Sequence, residues 1–496
     1  MLLNNERFVA MKVLKCSQVV AAEENAVNNG IFSYTALMEN AGREATRIIS
    51  QKYDIGGKRI CVVCGKGNNG GDGVVIASLL AKRGAEVSIF YPFGAPATDT
   101  AKNFLPLVDG IQKVEFVDKN YDFVIDALFG IGLDRTLDNS TRSVIKDMNA
   151  SCGIKIAIDI PSGVFCDGGR DEVAFRADLT VTFIGFKLCQ FLPETSEFCG
   201  EVVVADIGVP IVEYAYNTIK KPNYKPRGHN SHKGTFGTAL LICGSYGMSG
   251  ALILAARAAL RSGVGILKAI VCDKNYNVFC TSVPEAVTIP VPTTPEGAPE
   301  IFDRTILSSA SSSNAMLLGC GLGQSEDAKR LVRSALLLSS IPIILDADGI
   351  NAIASDINIL RKTKAPVILT PHPKEMARML SISTADVERN RIRIAKKFAV
   401  DFNCVLVLKG SNTVVAAPDG RVYINMGGNP GMATGGCGDV LSGMMVAYLA
   451  GGANLLDAAL NAVWWHSYAA DMATQKITQE ALLPSDIIEE LKSLPF

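Results

Sequence analysis

Between Asn429 and Asp439 the chain reads NPGMATGGCGD and then enters the apolar run VLSGMMVAYLAG. The strand-like segment RVYIN comes just before, so the glycines fall at a strand-to-helix turn whose backbone N–H groups can converge on an anion. Asp439 follows in the first helical turn. A carboxylate there has two readings: it favours the helix dipole, or it takes the proton from a hydroxyl attacking a phosphoryl group held by the turn. A second glycine-rich turn, GKGNNGGDG from Gly65 to Gly73, separates the strand RICVVC from the helix VVIASLLAKRG. It contains GxGxxG as Gly65, Gly67 and Gly70, which predicts a phosphate cradle. The next strand, EVSIFYPFG, ends without the acidic residue that would hold ribose hydroxyls, which argues against an ordinary dehydrogenase.

Other polar residues gather at strand ends. Asp126 precedes GIGLDR, Asp159 precedes Pro161 and Ser162, and Lys187 follows the strand after that. Singly, each Asp could be a turn or helix cap. Together they predict convergence with Asn69 and Asp72 on one crevice, because open α/β sheets bind ligands at the carboxyl ends of their strands. Asn, Asp and Ser oxygens also suit a hard cation. In the second half His372 sits between two prolines in TPHPKE, a rigid setting for a ligand contact. Lys409 opens KGSNTVVAAPDGRVYIN, either a hairpin over a nucleotide or an ordinary exposed hairpin. Asp346 and Asp348 in LDADG could support a cation or merely shape the turn.

The elements that must position these groups are legible as alternating strands and helices. Two helices over residues 17–53 precede the first strand, and further strands follow at DFVIDALFG, KIAIDIPSG and DLTVTFIG. The second half repeats the pattern through TALLICGS, GILKAIVC, AMLLGCGLG, PIILDADG, APVILTP and CVLVLKG. Both halves therefore predict an α/β/α architecture on parallel strands. The segment IKKPNYKPRGHNSHKG, aperiodic and rich in proline and basic residues, reads as a connection, giving domains at 1–217 and 231–496 with a linker at 218–230. Its charge run is either a nucleotide-steering patch or a solvated linker. Residues 1–10 read as an extension to which no function is assigned.

The chain has 496 residues and a formal net charge of −1, which argues against a nucleic-acid binder. No signal peptide or membrane-spanning run is evident, so a soluble, cytoplasmic protein without a membrane partner is expected. The 13 cysteines lie mostly in apolar strands and read as small buried hydrophobes. Cys61 and Cys64 form a CxxC on a strand, which sends the two thiols to opposite faces.

Through NNGGDG, DALFGIGLDR and DIPSGV, the N-terminal half resembles the epimerase domain of the NAD(P)H-hydrate repair enzymes. The resemblance implies a Rossmann-like domain that interconverts the R and S forms of hydrated NADH or NADPH. By position it implies hydrate contacts from Asn68, Asn69, Gly70, Gly71 and Asp72 and from Gly130, Ile131, Gly132, Leu133, Asp134, Arg135 and Thr136. It further implies Asp159 as substrate contact and acid/base catalyst, and a potassium ion on Asn69, Asp126 and Ser162.

Through HKGTFGTALLICGS, GCGLG, LDADG, TPHPKEMARM, KGSNT and NPGMATGGCGD, the second half resembles the ribokinase-like dehydratase domain of the same system. The implied reaction is dehydration of the S hydrate with ADP, or ATP, and magnesium. Ala251, Gly321, His372 and Asp439 would contact the hydrate, Lys409, Gly410, Ser411, Asn412, Thr413 and Gly438 the nucleotide, and Asp439 would be the base. A homo-oligomer is expected. The other enzyme reading is a small-molecule alcohol kinase with a regulatory or binding N-terminal domain. Cys437 stands where the family usually has Thr or Ser, and Cys320 where it usually has Pro. A thiol would hold a phosphate less well than a hydroxyl if position 437 contacts one, but the backbone N–H groups remain and activity is expected to survive.

Overall fold

Alternation along the first long strand, Arg59–Cys64, decides how the N-terminal half is layered. Ile60, Val62 and Cys64 pack into one hydrophobic cluster, and Cys61 and Val63 into another. A strand apolar on both faces has to be covered on both, and helices supply the cover. The CxxC thiols are accordingly split between the two faces. In this computed structural model residues 11–223 and 226–494 are described. The expected extension at residues 1–10 lies outside them, as do two positions of the expected linker.

The chain divides into two compact units, Met11–Asn217 and Thr218 onward. In the first, the strands run in the order Gln112–Val114, Glu86–Phe90, Arg59–Cys64, Phe123–Ala127, Ile154–Ile158, Leu179–Phe183 and Glu201–Ala205. Every pairing is parallel. Chain order reverses direction at Arg59–Cys64, so the crevice of a Rossmann-like sheet opens between its carboxyl end and that of Phe123–Ala127. The helices Cys16–Asn28 and Tyr34–Lys52 precede this sheet, as the periodicity predicts.

The second unit orders its parallel strands Val287–Val291, Ile266–Cys272, Thr238–Ile242, Ala315–Leu318, Ile343–Leu345, Val367–Leu369 and Val405–Leu408. An antiparallel extension, Val414–Ala416 and Val422–Ile424, forms the hairpin expected after Lys409. The helix Cys437–Ala450 lies against Ser249–Arg261 at very close range. A Cβ added to Gly443 would come within 2.2 Å of the Ala255 carbonyl oxygen, so only glycine admits this approach. No helix among the described residues is long and apolar enough to cross a membrane.

Candidate active sites

In the N-terminal unit Asp159 follows the strand Ile154–Ile158 with φ of 68°. That left-handed conformation costs an L residue about 1–2 kcal/mol, and it is held by a hydrogen bond from the Asp159 N–H to the Val181 carbonyl at 2.7 Å. Its carboxylate is fixed at both oxygens. Oδ1 accepts from Lys187 Nζ at 2.8 Å and from Thr182 Oγ1 at 3.2 Å, and Oδ2 accepts from the Ile131 N–H at 3.1 Å. Lys187 is fully buried and also donates to the Phe183 carbonyl at 2.7 Å. Gly130 closes over the same carboxylate: a Cβ there would lie 2.9 Å from Asp159 Oδ2.

Asn69, Asp126 and Ser162 are joined through Phe129. Asn69 Nδ2 donates to the Phe129 carbonyl at 2.9 Å, and the Phe129 N–H donates to Ser162 Oγ at 3.2 Å. Ser162 donates to Asp126 twice, from Oγ and from the backbone N–H, each at 2.7 Å. Burial pushes Asp126 up to about 6 against these bonds. Asn69 Oδ1 is buried and has no hydrogen-bond partner, which leaves one acceptor unsatisfied in this cluster. Asn68 accepts from Thr98 Oγ1 at 2.7 Å. Leu133 turns its side chain into the core, while Asp134, Arg135 and Thr136 are exposed on the loop beyond.

Two carboxyls here carry protons readily. Burial, reinforced by the charge of Asp159, pushes Asp72 well above the usual range and Glu23 up to about 7. Glu23 was not singled out from the sequence. It lies mid-helix in Cys16–Asn28 among other polar residues, and only tertiary packing makes it half-buried.

In the second unit Asp346 is the hub. It is 1% exposed, and its Oδ1 accepts from Lys409 Nζ at 2.7 Å while Oδ2 accepts from Ser442 Oγ at 2.7 Å. Burial would raise it, but the Lys409 ammonium beside it holds it below the usual carboxylate range. Cys320 Sγ donates weakly to Oδ2 at 3.6 Å. Asp346 therefore neither simply shapes the turn nor faces a bare cation site, because an ammonium already occupies it. Asp348 does shape the chain, accepting from the Gly323 N–H at 2.8 Å.

Asp439 sits in the first turn of Cys437–Ala450, as predicted. Its carboxylate, the Cys320 sulfur and Asp346 offer ligand atoms within 4.8 Å of one another. Burial, then the nearby Asp346 charge, push Asp439 up to about 6. A Cβ on Gly438 would lie 3.3 Å from Lys409 Nζ, which places the glycine turn and the lysine at one spot. A Cβ on Gly321 would meet the Ala251 Cβ at 2.8 Å, so those two positions also adjoin. Cys437, the first residue of the helix Cys437–Ala450, is 6% exposed and packs within the hydrophobic core.

His372 has a structural role while 47% of its side chain stays exposed. It caps the helix Pro373–Leu380, Nδ1 accepting from the N–H groups of Lys374 and Glu375 at 3.1 and 3.2 Å. Nε2 must then carry the proton, and it points to Glu375 Oε1 at 3.3 Å. Burial holds His372 below its ordinary value and pushes Glu375 up to about 7. The loop from Lys409 to Thr413 is anchored by Arg391, which donates to the carbonyls of Ser411, Lys409 and Leu408 at 2.7, 3.1 and 3.3 Å. Arg391 was also missed, although a cation in register with Ala395 and Phe398 on an otherwise apolar helix stripe signals it.

Comparison with known proteins matches both units. Residues 34–189 fit the family described as YjeF-related protein N-terminus, and residues 239–493 the family described as NAD(P)H-hydrate dehydratase. The bifunctional NAD(P)H-hydrate repair enzyme of Moorella thermoacetica is 35% identical over 92% of this chain and 91% of its own length. That of Thermofilum pendens is 35% identical over 95% and 94%. Among solved structures, an ADP/ATP-dependent NAD(P)H-hydrate dehydratase from Bacillus subtilis, co-crystallised with ATP and magnesium, is 35% identical. It covers 54% of this chain and 92% of its own, with a TM-score of 0.47. Matched in both units and along nearly its whole length, the chain belongs to the family of bifunctional NAD(P)H-hydrate repair enzymes.

Proposed function

We propose that the N-terminal unit epimerises hydrated NADH and NADPH, and that the second unit dehydrates the S form with ADP or ATP. The observation that carries the second step is the meeting of Asp439, Gly438 and the Asp346-bound Lys409 at one helix N-terminus. Hydroxide is a poor leaving group at neutral pH. Asp439, ionised above about 6, takes the proton of the ring hydroxyl as its oxygen attacks the terminal phosphoryl group of the nucleotide. The turn Gly435–Gly438 and Lys409 stabilise the charge that develops on the phosphoryl oxygens. The ring nitrogen then expels phosphate, and loss of a proton from the adjacent carbon restores the double bond.

Magnesium fits poorly in the Cys320, Asp346 and Asp439 cluster, since a thiol is a soft ligand and Asp346 already holds Lys409. It would come with the nucleotide phosphates instead.

In the N-terminal unit, Lys187 and Thr182 orient the Asp159 carboxylate, while burial favours the protonated form of Asp72 and brings Glu23 to about 7. Such a pairing lets one side assist loss of the ring hydroxyl and the other its return on the opposite face. Asn69 Oδ1, Asp126 and Ser162 would hold potassium, which supplies positive charge that fixes the substrate-facing loop.

The full-length relatives favour repair over a simple alcohol kinase. Incubating the protein with hydrated NADH and either ADP or ATP should restore NADH absorbance. No recovery, with phosphorylation of a simple alcohol instead, would reverse that preference.

A further inference from the structure

The turn between the strand Thr238–Ile242 and the helix Ser249–Arg261 carries two large apolar side chains into solvent. Tyr246 is 61% exposed and Met248 50%. Exposure here does not mean looseness. The Tyr246 N–H donates to the Gly297 carbonyl at 2.8 Å, and Asn275 Nδ2 to the Ser245 carbonyl at 2.8 Å. The turn is also built onto the hydrate-matched positions. Ser245 donates to the Gly321 carbonyl from its N–H at 2.7 Å and from Oγ at 3.0 Å, and a Cβ on Gly321 would lie 3.2 Å from the Met248 carbonyl oxygen. Lys274 Nζ stands 5.2 Å from the centroid of the Tyr246 ring.

An aromatic ring carried into solvent on an anchored turn, with an ammonium over one face and the other face open, next to a site for a dinucleotide, has the chemistry of a nucleotide anchor. A flat π-face accepts a base by stacking, and a cation beside it accepts phosphate charge. The hydrated ring is only one end of its substrate. With that ring placed against Asp439, the rest of the molecule needs a second contact outside the buried cluster.

We propose that Tyr246 and Lys274 dock the adenosine diphosphate end of the hydrated dinucleotide, Tyr246 stacking on the adenine and Lys274 facing the phosphates. The proposal rests on the dehydratase reading given above. The nucleotide co-substrate is a less suitable occupant, because its matched loop, Lys409–Thr413, follows a different strand and meets the glycine turn at Gly438.

Steady-state kinetics on the full chain test it with two substrates: the S hydrate of NADH, and the hydrate of reduced nicotinamide mononucleotide, which lacks the adenosine end. Tyr246→Ala should raise KM for the dinucleotide hydrate about tenfold, the loss expected for one stacked base, with little change in kcat. It should leave KM for the mononucleotide hydrate and for ADP or ATP near wild type. Tyr246→Phe keeps the ring and should behave as wild type. Lys274→Gln should weaken the dinucleotide hydrate more at low than at high salt. An equal rise in KM for both hydrates, or a rise confined to ADP or ATP, overturns the docking point. Wild-type protein that converts neither hydrate overturns the dehydratase reading and the docking point with it.

Discussion

In the proposed reaction Asp439 is the base of the dehydration step. Burial and the charge of Asp346 push it up to about 6, so it keeps its proton to a higher pH than an ordinary carboxyl. The base form is therefore lost as pH falls through that value and is dominant at neutral pH. The rate of dehydration, measured as kcat/KM against pH, should fall about tenfold per unit below about pH 6 and stay level above it. Asp439→Asn should lower the rate about 10²- to 10⁴-fold at neutral pH. A profile with no inflection in this region would assign the proton to another group. Cys437, two residues earlier, shows what spacing alone conceals. The sequence places it in the glycine turn, yet as the first helical residue it packs its side chain into the core.

At the scale of elements, the apolar strands were legible because each is a short buried run ending in glycine or a polar turn. The edge strand Val287–Val291 was not, since it is partly exposed and interrupted by Pro290. Pairings across elements were also hidden: Lys409 and Asp346 stand 63 positions apart, and nothing local marks them as partners. The same holds for the brace between the helix Arg391–Asp401 and the loop that follows Val405–Leu408. Arg391 bonds several carbonyls there at once, and its Nε is buried without a partner. Arg391→Met should cost about 2–4 kcal/mol of stability by leaving those carbonyls unpaired, seen as a lowered thermal midpoint. Lys409–Thr413 should loosen with it, raising KM for the nucleotide while KM for the hydrate changes little. A rise in both constants together would mean that Arg391 supports the whole site.

For the whole molecule, each of the two units keeps its own hydrophobic core. Each also carries its own carboxylate with its own buried lysine: Asp159 with Lys187 in one, and Asp439 near the Asp346-bound Lys409 in the other. Among the described residues each set comes from its own unit. Damage to one site should therefore leave the other chemistry intact. Asp159→Ala should still repair the S hydrate but leave the R form unconsumed, whereas Asp439→Asn should interconvert the two forms and restore no NADH. The stronger consequence concerns mixtures. If the S hydrate made by one chain is released before dehydration, equal amounts of the two variants should together recover NADH from the R hydrate, which neither does alone. The recovery should slow on dilution, because the intermediate must travel between chains. A mixture no better than its components, with each variant retaining its remaining half-reaction, would mean that the hydrate has to pass between the two sites of a single chain.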